Sequence, residues 1–247
     1  MEKGKVAVVT GGLGGLGQVV SRLLAEQGFI VYATDIRPSE QPIDQPGVTF
    51  WQQDVAQEAD WVALSAHIES THGALHVLVN NAAILMAYHI EDQPADEFDL
   101  LTQINFKSVF LGTKHMLPLL VASGQGSIVN MSSSSALVGF PHFAAYGATK
   151  AAVRNLTMST AIHCVEQDYP VRCNSVHPDG ILTPMIANVR GKMAPLPEHV
   201  GPKMAKYACQ AEDVADVIVF LCSDASRHMN GAELRVDGGA TVQSPYS

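Results

Sequence analysis

The stretch that most constrains the fold of this 247-residue chain is its beginning. The apolar, strand-like run Lys5–Thr10 leads directly into Gly11-Gly12-Leu13-Gly14-Gly15-Leu16-Gly17 and then into the helix-patterned VVSRLLAEQG. A strand, a tight glycine turn and a helix start, in that order, let the backbone come close to a pyrophosphate and hold its charge at the helix N-terminus. The tract fits G-x-G-x-x-G through Gly12, Gly14 and Gly17, a weak pattern that glycine-rich runs meet by accident. It also fits T-G-x-x-x-G-x-G through Thr10, Gly11, Gly15 and Gly17, and its place between strand and helix favours a binding loop over a merely structural turn.

The same strand-then-helix rhythm continues. Candidate strands are Lys5–Thr10, Phe29–Thr34, Val48–Gln53, Leu75–Asn80, Gly126–Met131, Val171–His177 and Glu233–Val236, and between them Gln57–His72, Glu97–Val121, Ala144–Gln167 and Ala211–Asp224 have helical length and period. This alternation predicts a doubly wound α/β fold of Rossmann type, with seven parallel strands covered on both faces, and the length suits one domain over residues 1–247. Two stretches depart from the rhythm. Ile36–Gly47 carries Pro38, Pro42 and Pro46 and is expected to be an abbreviated crossover. Thr183–Gln210 carries Pro184, Pro195, Pro197 and Pro202 with Met185, Met193 and Met204, and is expected to be an irregular substrate lid whose methionines fit an apolar ligand.

Charge and cysteine usage narrow the partners. A formal net charge of −9 with no basic cluster argues against nucleic acid and lowers the prospect of an acidic carrier protein as partner. No run of about 18 apolar residues is present to span a membrane, the start runs straight into a strand instead of a signal peptide, and the expected location is the cytosol. Cys164, Cys173, Cys209 and Cys222 form no CxxC pair and read as reduced thiols. Ten histidines include no HExxH spacing, so no metal site is expected, and His89, His142 and His199 read as surface or pocket-rim residues.

Asp35 closes the second candidate strand, where its carboxylate is placed to accept hydrogen bonds from adenosine ribose hydroxyls and to repel a 2′-phosphate. It favours NAD over NADP, although Arg37, two residues on, is able in principle to pair with a phosphate. In the second half, Tyr146 and Lys150 lie one helical turn apart in Tyr146-Gly147-Ala148-Thr149-Lys150, and the serines Ser132 to Ser135 follow the strand SIVNM. Oxidising an alcohol needs a base for the hydroxyl proton while hydride leaves for a nicotinamide. Tyrosine serves only if its pKa falls from about 10 towards neutrality, which a nearby Lys150 ammonium and a positive ring would favour.

From near Lys5 to near Gly239 the chain resembles the short-chain dehydrogenase/reductase family. The resemblance rests on TGGLGGLG, Asp54-Val55, Asn80-Asn81-Ala82-Ala83, Asn105, the serine strand end, YGATK and Asn174-Ser175-Val176-His177-Pro178-Asp179-Gly180. It implies a catalytic tetrad of Asn105, Ser133, Tyr146 and Lys150. In that scheme Tyr146 is the acid/base, Ser133 orients the substrate, Lys150 grips the nicotinamide ribose and Asn105 shapes a helix that holds a proton-relay water. It further implies a cofactor lying along Gly11, Leu13, Gly14, Gly15, Leu16 and Gly17, with Asp35 and Ile36 at the ribose. Asp54 and Val55 would flank the adenine and Asn81, Ala82 and Ala83 line the groove. Pro178, Gly180, Ile181 and Thr183 would meet the nicotinamide end, beside Tyr146 and Lys150.

Ala83 and Asp179 stand where the family usually has glycine. Asp179, with HPDGILTPM, EADW and VLVNNAAIL, makes the chain similar to bacterial 3β/17β-hydroxysteroid dehydrogenases. The leading expectation is an NAD-dependent dehydrogenase for an apolar, cyclic or steroid-like secondary alcohol, with Leu85, Met86, Val138 and Phe140 as candidate pocket walls. A reductase of 3-oxoacyl or other small carbonyl substrates and a non-catalytic NAD-binding regulator are the alternatives. The resemblance also implies a homotetramer packed through the long helices Glu97–Val121 and Ala144–Gln167.

Overall fold

The apolar runs become seven parallel strands in the computed structural model, which describes residues 4–38, 45–190 and 206–243. They are β1 (Val6–Thr10), β2 (Ile30–Asp35), β3 (Val48–Gln52), β4 (Val77–Asn80), β5 (Gly126–Met131), β6 (Val171–Pro178) and β7 (Glu233–Val236), in the order β3-β2-β1-β4-β5-β6-β7. The helices are α1 (Gly15–Glu26), α2 (Glu58–His72), α3 (Ala95–Thr102), α4 (Ser108–Ala122), α5 (Ala144–Glu166), α6 (Pro184–Arg190) and α7 (Ala211–Cys222). The chain is thus a doubly wound Rossmann-type α/β unit.

Side chains alternate across each strand, so one sheet feeds two cores. Val6, Val8, Leu78 and Ile128 pack with Trp61, Leu64 and Ile68 of α2 and Leu111, Met116 and Leu120 of α4. Ala7, Val9, Val79, Val129 and Val176 point the other way, against Val20 and Leu24 of α1 and Ile218 and Leu221 of α7. The strand order reverses between β1 and β4, so the C-terminal strand ends open a crevice there, where ligands of open α/β sheets bind.

Two expectations change in detail. The helix predicted over Glu97–Val121 is α3 and α4, joined without a break through a π-helical turn at Gln103–Lys107. The lid predicted as irregular over residues 183–210 contains a helix, α6, begun by Pro184, whose fixed φ and missing N–H suit a first turn. Backbone bonds from Leu182 N–H to the Cys209 carbonyl (2.9 Å) and from Cys209 N–H to the Gly180 carbonyl (3.0 Å) clip the two ends of that excursion together. Residues 191–205, with Met193, Pro195, Pro197, Pro202 and Met204, lie outside the described residues, as do residues 39–44 of the expected short crossover. Among the described residues no helix is long and apolar enough to cross a membrane.

Candidate active site

The glycine tract folds as the spacing predicts, between β1 and α1. A Cβ at Gly17 would stand 2.1 Å from the Gly11 carbonyl oxygen, so α1 approaches the loop closely only because that position has no side chain. The first turn of α1 has no side-chain cap and no acidic residue, so its N–H groups are open to an anion. Thr10 fastens the loop to the next strand: its hydroxyl oxygen accepts from the N–H groups of Asn81 (2.9 Å) and Ala82 (3.0 Å), and the Asn81 amide donates to the Thr10 carbonyl (2.8 Å). A close-packed loop and an uncapped helix start fit a dinucleotide pyrophosphate.

Asp35 ends β2 beside that loop and is buried. Its carboxylate accepts the Leu13 N–H (3.2 Å) and a two-point contact from the exposed Arg37 guanidinium, Nε to Oδ1 at 3.0 Å and Nη2 to Oδ2 at 3.2 Å. Burial alone would raise its pKa; the bonds from Arg37 and Leu13 outweigh burial and hold the carboxyl below its usual value. Arg37, which the sequence leaves open as a phosphate partner, is therefore engaged by Asp35.

At the other end, β5 hands its last residues to the serine turn. Ser132 donates to the Lys150 carbonyl (2.9 Å) and the Lys150 ammonium donates to the Met131 carbonyl (2.9 Å), knitting α5 to the strand end. Gly147 lets α5 dock there, since a Cβ would lie 2.8 Å from the Ser135 carbonyl oxygen. This docking brings Ser133 into a hydrogen bond with the Tyr146 hydroxyl and sets Lys150 Nζ 5.7 Å from the Tyr146 ring centre. Burial pushes Tyr146 up to about 12, against the Ser133 hydrogen bond, and pushes Lys150 down to about 8. The lowering of Tyr146 that the sequence predicts with a positive ring in place is not present in the protein alone, where desolvation dominates.

These residues share one cleft of about 450 Å³ with Gly11, Leu13, Gly14, Gly15, Leu16, Gly17, Asp35, Ile36, Asp54, Val55, Asn81, Ala82, Ala83, Pro178, Ile181 and Thr183. Two expected site residues stay behind the wall. Asn105, fully buried in the π turn, accepts from Ile84 N–H (2.8 Å) and donates to the Ile84 carbonyl (2.9 Å) and Thr149 Oγ1 (3.4 Å), which places it to brace the wall. Gly180 is taken up in the clip to Cys209. Of the candidate pocket walls Leu85 and Met185 line the cleft, with Ile84, Ile104 and Ile186 that the sequence reading did not single out, whereas Met86, Val138 and Phe140 do not line it. Gln53 also lines it, and its buried amide oxygen and nitrogen have no hydrogen-bond partner among the described residues; its place at a strand end before Asp54 was the available signal. The His89 and His142 rings lie 4.2 Å apart, and His199 falls outside the described residues. Among the described residues no three His, Cys, Asp or Glu side chains converge as metal ligands would.

A family model described as "Enoyl-(Acyl carrier protein) reductase" matches residues 11–241. The 3-beta-hydroxysteroid dehydrogenase of Comamonas testosteroni is 39% identical, over 95% of this chain and 95% of that protein. The NADP-dependent (R)-specific alcohol dehydrogenase of Lentilactobacillus kefiri is 37% identical, over 98% of each. Among solved structures, the aldohexose dehydrogenase of Thermoplasma acidophilum in ligand-free form superposes with a TM-score of 0.86 at 28% identity, over 98% of this chain and 96% of that one.

Proposed function

This chain belongs to the short-chain dehydrogenase/reductase family as an alcohol- or hydroxysteroid-dehydrogenase-type oxidoreductase, and within that family we propose that it interconverts an apolar, cyclic or steroid-like secondary alcohol and its ketone with NAD. The observation that carries this reading is the meeting of Ser133, Tyr146 and Lys150 in the same cleft as an uncapped helix start and Asp35. A bound nicotinamide dinucleotide supplies the hydride acceptor. Tyr146 takes the carbinol proton at its hydroxyl oxygen, Ser133 holds the substrate oxygen, and Lys150, fixed by the Met131 carbonyl, grips the nicotinamide ribose and favours the phenolate. Asn105 acts from behind the wall, holding residue 84 and α5 in register.

Asp35 supports NAD. A 2′-phosphate would meet its carboxylate and would have to break the Asp35–Arg37 pair before gaining Arg37. Ile84, Leu85, Ile104, Met185 and Ile186 supply the apolar lining that a cyclic substrate needs, and the Comamonas testosteroni relative acts on a hydroxysteroid. A homotetramer is part of the same reading, supported by exposed apolar residues on the helices that would pair, Phe110 of α4 and Ile162 and Val165 of α5. The four cysteines are free of disulfides, which supports a cytosolic location. Initial-rate NADH formation across hydroxysteroids, cycloalkanols and 3-hydroxyacyl esters, with NAD or NADP, tests it. NAD-linked oxidation of a hydroxysteroid or cycloalkanol is expected; turnover of the acyl esters alone, or faster turnover with NADP, contradicts the substrate or the cofactor assignment respectively.

A further inference from the structure

Asp179 follows β6 directly and lines the cleft beside the serine turn. Ser134, the neighbour of Ser133, donates its hydroxyl to Asp179 Oδ1 at 3.2 Å, and the Asp179 N–H is held by the Val236 carbonyl at 3.2 Å. The backbone is therefore fixed from β7 and the carboxylate is fixed toward the Ser133 end. Burial raises its pKa, opposed by bonds from Ser134 and the Gly180 N–H, while the nearby Asp237 adds a second negative charge. Among the described residues no Lys, Arg or His forms an ion pair with Asp179, in contrast to Asp35, which has Arg37. A half-buried carboxylate without a cation is costly, and a site that keeps one is complementary to a positive charge in its ligand.

Of the two redox states of a nicotinamide, only the oxidised ring carries that positive charge. We propose that Asp179 sets the redox preference of the site, its carboxylate holding the oxidised cofactor more tightly than the reduced one and thereby biasing the bound equilibrium towards the oxidised nucleotide and the alcohol. The inference rests on the reading of this cleft as a nicotinamide dinucleotide site. The effect is a difference between two affinities, and a purely structural role would weaken both forms alike.

The test is calorimetric titration of the purified protein with NAD⁺ and, separately, with NADH, for the wild type, Asp179→Asn and Asp179→Gly. The glycine variant removes the carboxylate without asking the cleft to house an amide, so it stands in if the asparagine variant does not fold. Both substitutions are expected to weaken NAD⁺ by about tenfold while changing NADH by less than about twofold. Equal changes in the two affinities, or none, overturn the proposal. A wild type that binds neither nucleotide overturns the dinucleotide reading itself, a result distinguishable from symmetric loss in the variants.

Discussion

The two ends of the cleft solve opposite electrostatic problems. At the glycine-loop end the one buried carboxylate, Asp35, is neutralised by Arg37 and by a backbone N–H and sits below its usual pKa. At the serine-turn end the hydrogen bonds do not outweigh burial: Tyr146 is pushed up to about 12 and Lys150 down to about 8, and Asp179, despite bonds from Ser134 and the Gly180 N–H, has a second acid for a neighbour and sits above its usual value. The loop end is finished in the protein alone. The chemical end holds its groups in place with Tyr146 protonated, and under the proposed function a positively charged ring in the cleft would favour both the Tyr146 phenolate and the Asp179 carboxylate. On that reading, binding and chemistry are coupled through charge.

The comparison breaks most readily at Tyr146. Tyr146→Phe removes the proton acceptor and leaves the loop end untouched, so kcat for alcohol oxidation is expected to fall by about 10²- to 10⁴-fold while direct titration finds cofactor affinity nearly unchanged. Parallel loss of affinity would mean that the two ends are not separable. Lys150 offers a smaller, purely thermodynamic check. Its folded pKa of about 8 lies below the ordinary 10.5, so between those values the unfolded chain binds more protons than the folded one and stability rises with pH. Urea unfolding of the cofactor-free protein is expected to show a Lys150-dependent gain on the order of 3 kcal/mol across that window, absent in Lys150→Met. A gain that persists in the variant would place its source elsewhere. At the finished end, Asp35→Ala frees Arg37 and removes the repulsion of a 2′-phosphate; the NADP-to-NAD ratio of kcat/KM is expected to rise by about tenfold, and an unchanged ratio would remove Asp35 from cofactor choice.

The same contrast explains what the amino-acid sequence made legible. The loop end is a local device, in which Thr10 to Gly17 and Asp35 are read from strand, turn and helix in succession, and the structure brings Gly11, Leu13 to Gly17 and Asp35 to one groove. The strand limits shift by two residues at most, as at Leu75, expected in β4, which begins at Val77. The serine, tyrosine and lysine were legible because Ser133 ends a strand and Tyr146 and Lys150 share a helix face. The rest has no local signature. The π turn at Gln103–Lys107 holds Asn105, which bonds to Ile84 across 21 residues, and periodicity alone reads through it as one helix. The pairing of Arg37 with Asp35 needs side-chain geometry that spacing does not carry. The upward pKa of Tyr146 in the protein alone follows from its burial, which residue spacing does not carry. Ile84, Ile104 and Ile186 line the cleft while Val138 and Phe140 do not, because an apolar wall is chosen by tertiary position and not by residue type.

The most direct test of this coupling is a titration of Tyr146 itself, taken as the phenolate absorbance of the wild type minus that of Tyr146→Phe, with and without saturating NAD⁺. The account predicts no ionisation of Tyr146 below about pH 9 in the protein alone and a phenolate signal within about pH 6 to 9 once NAD⁺ is bound. A titration that NAD⁺ leaves unchanged would contradict it.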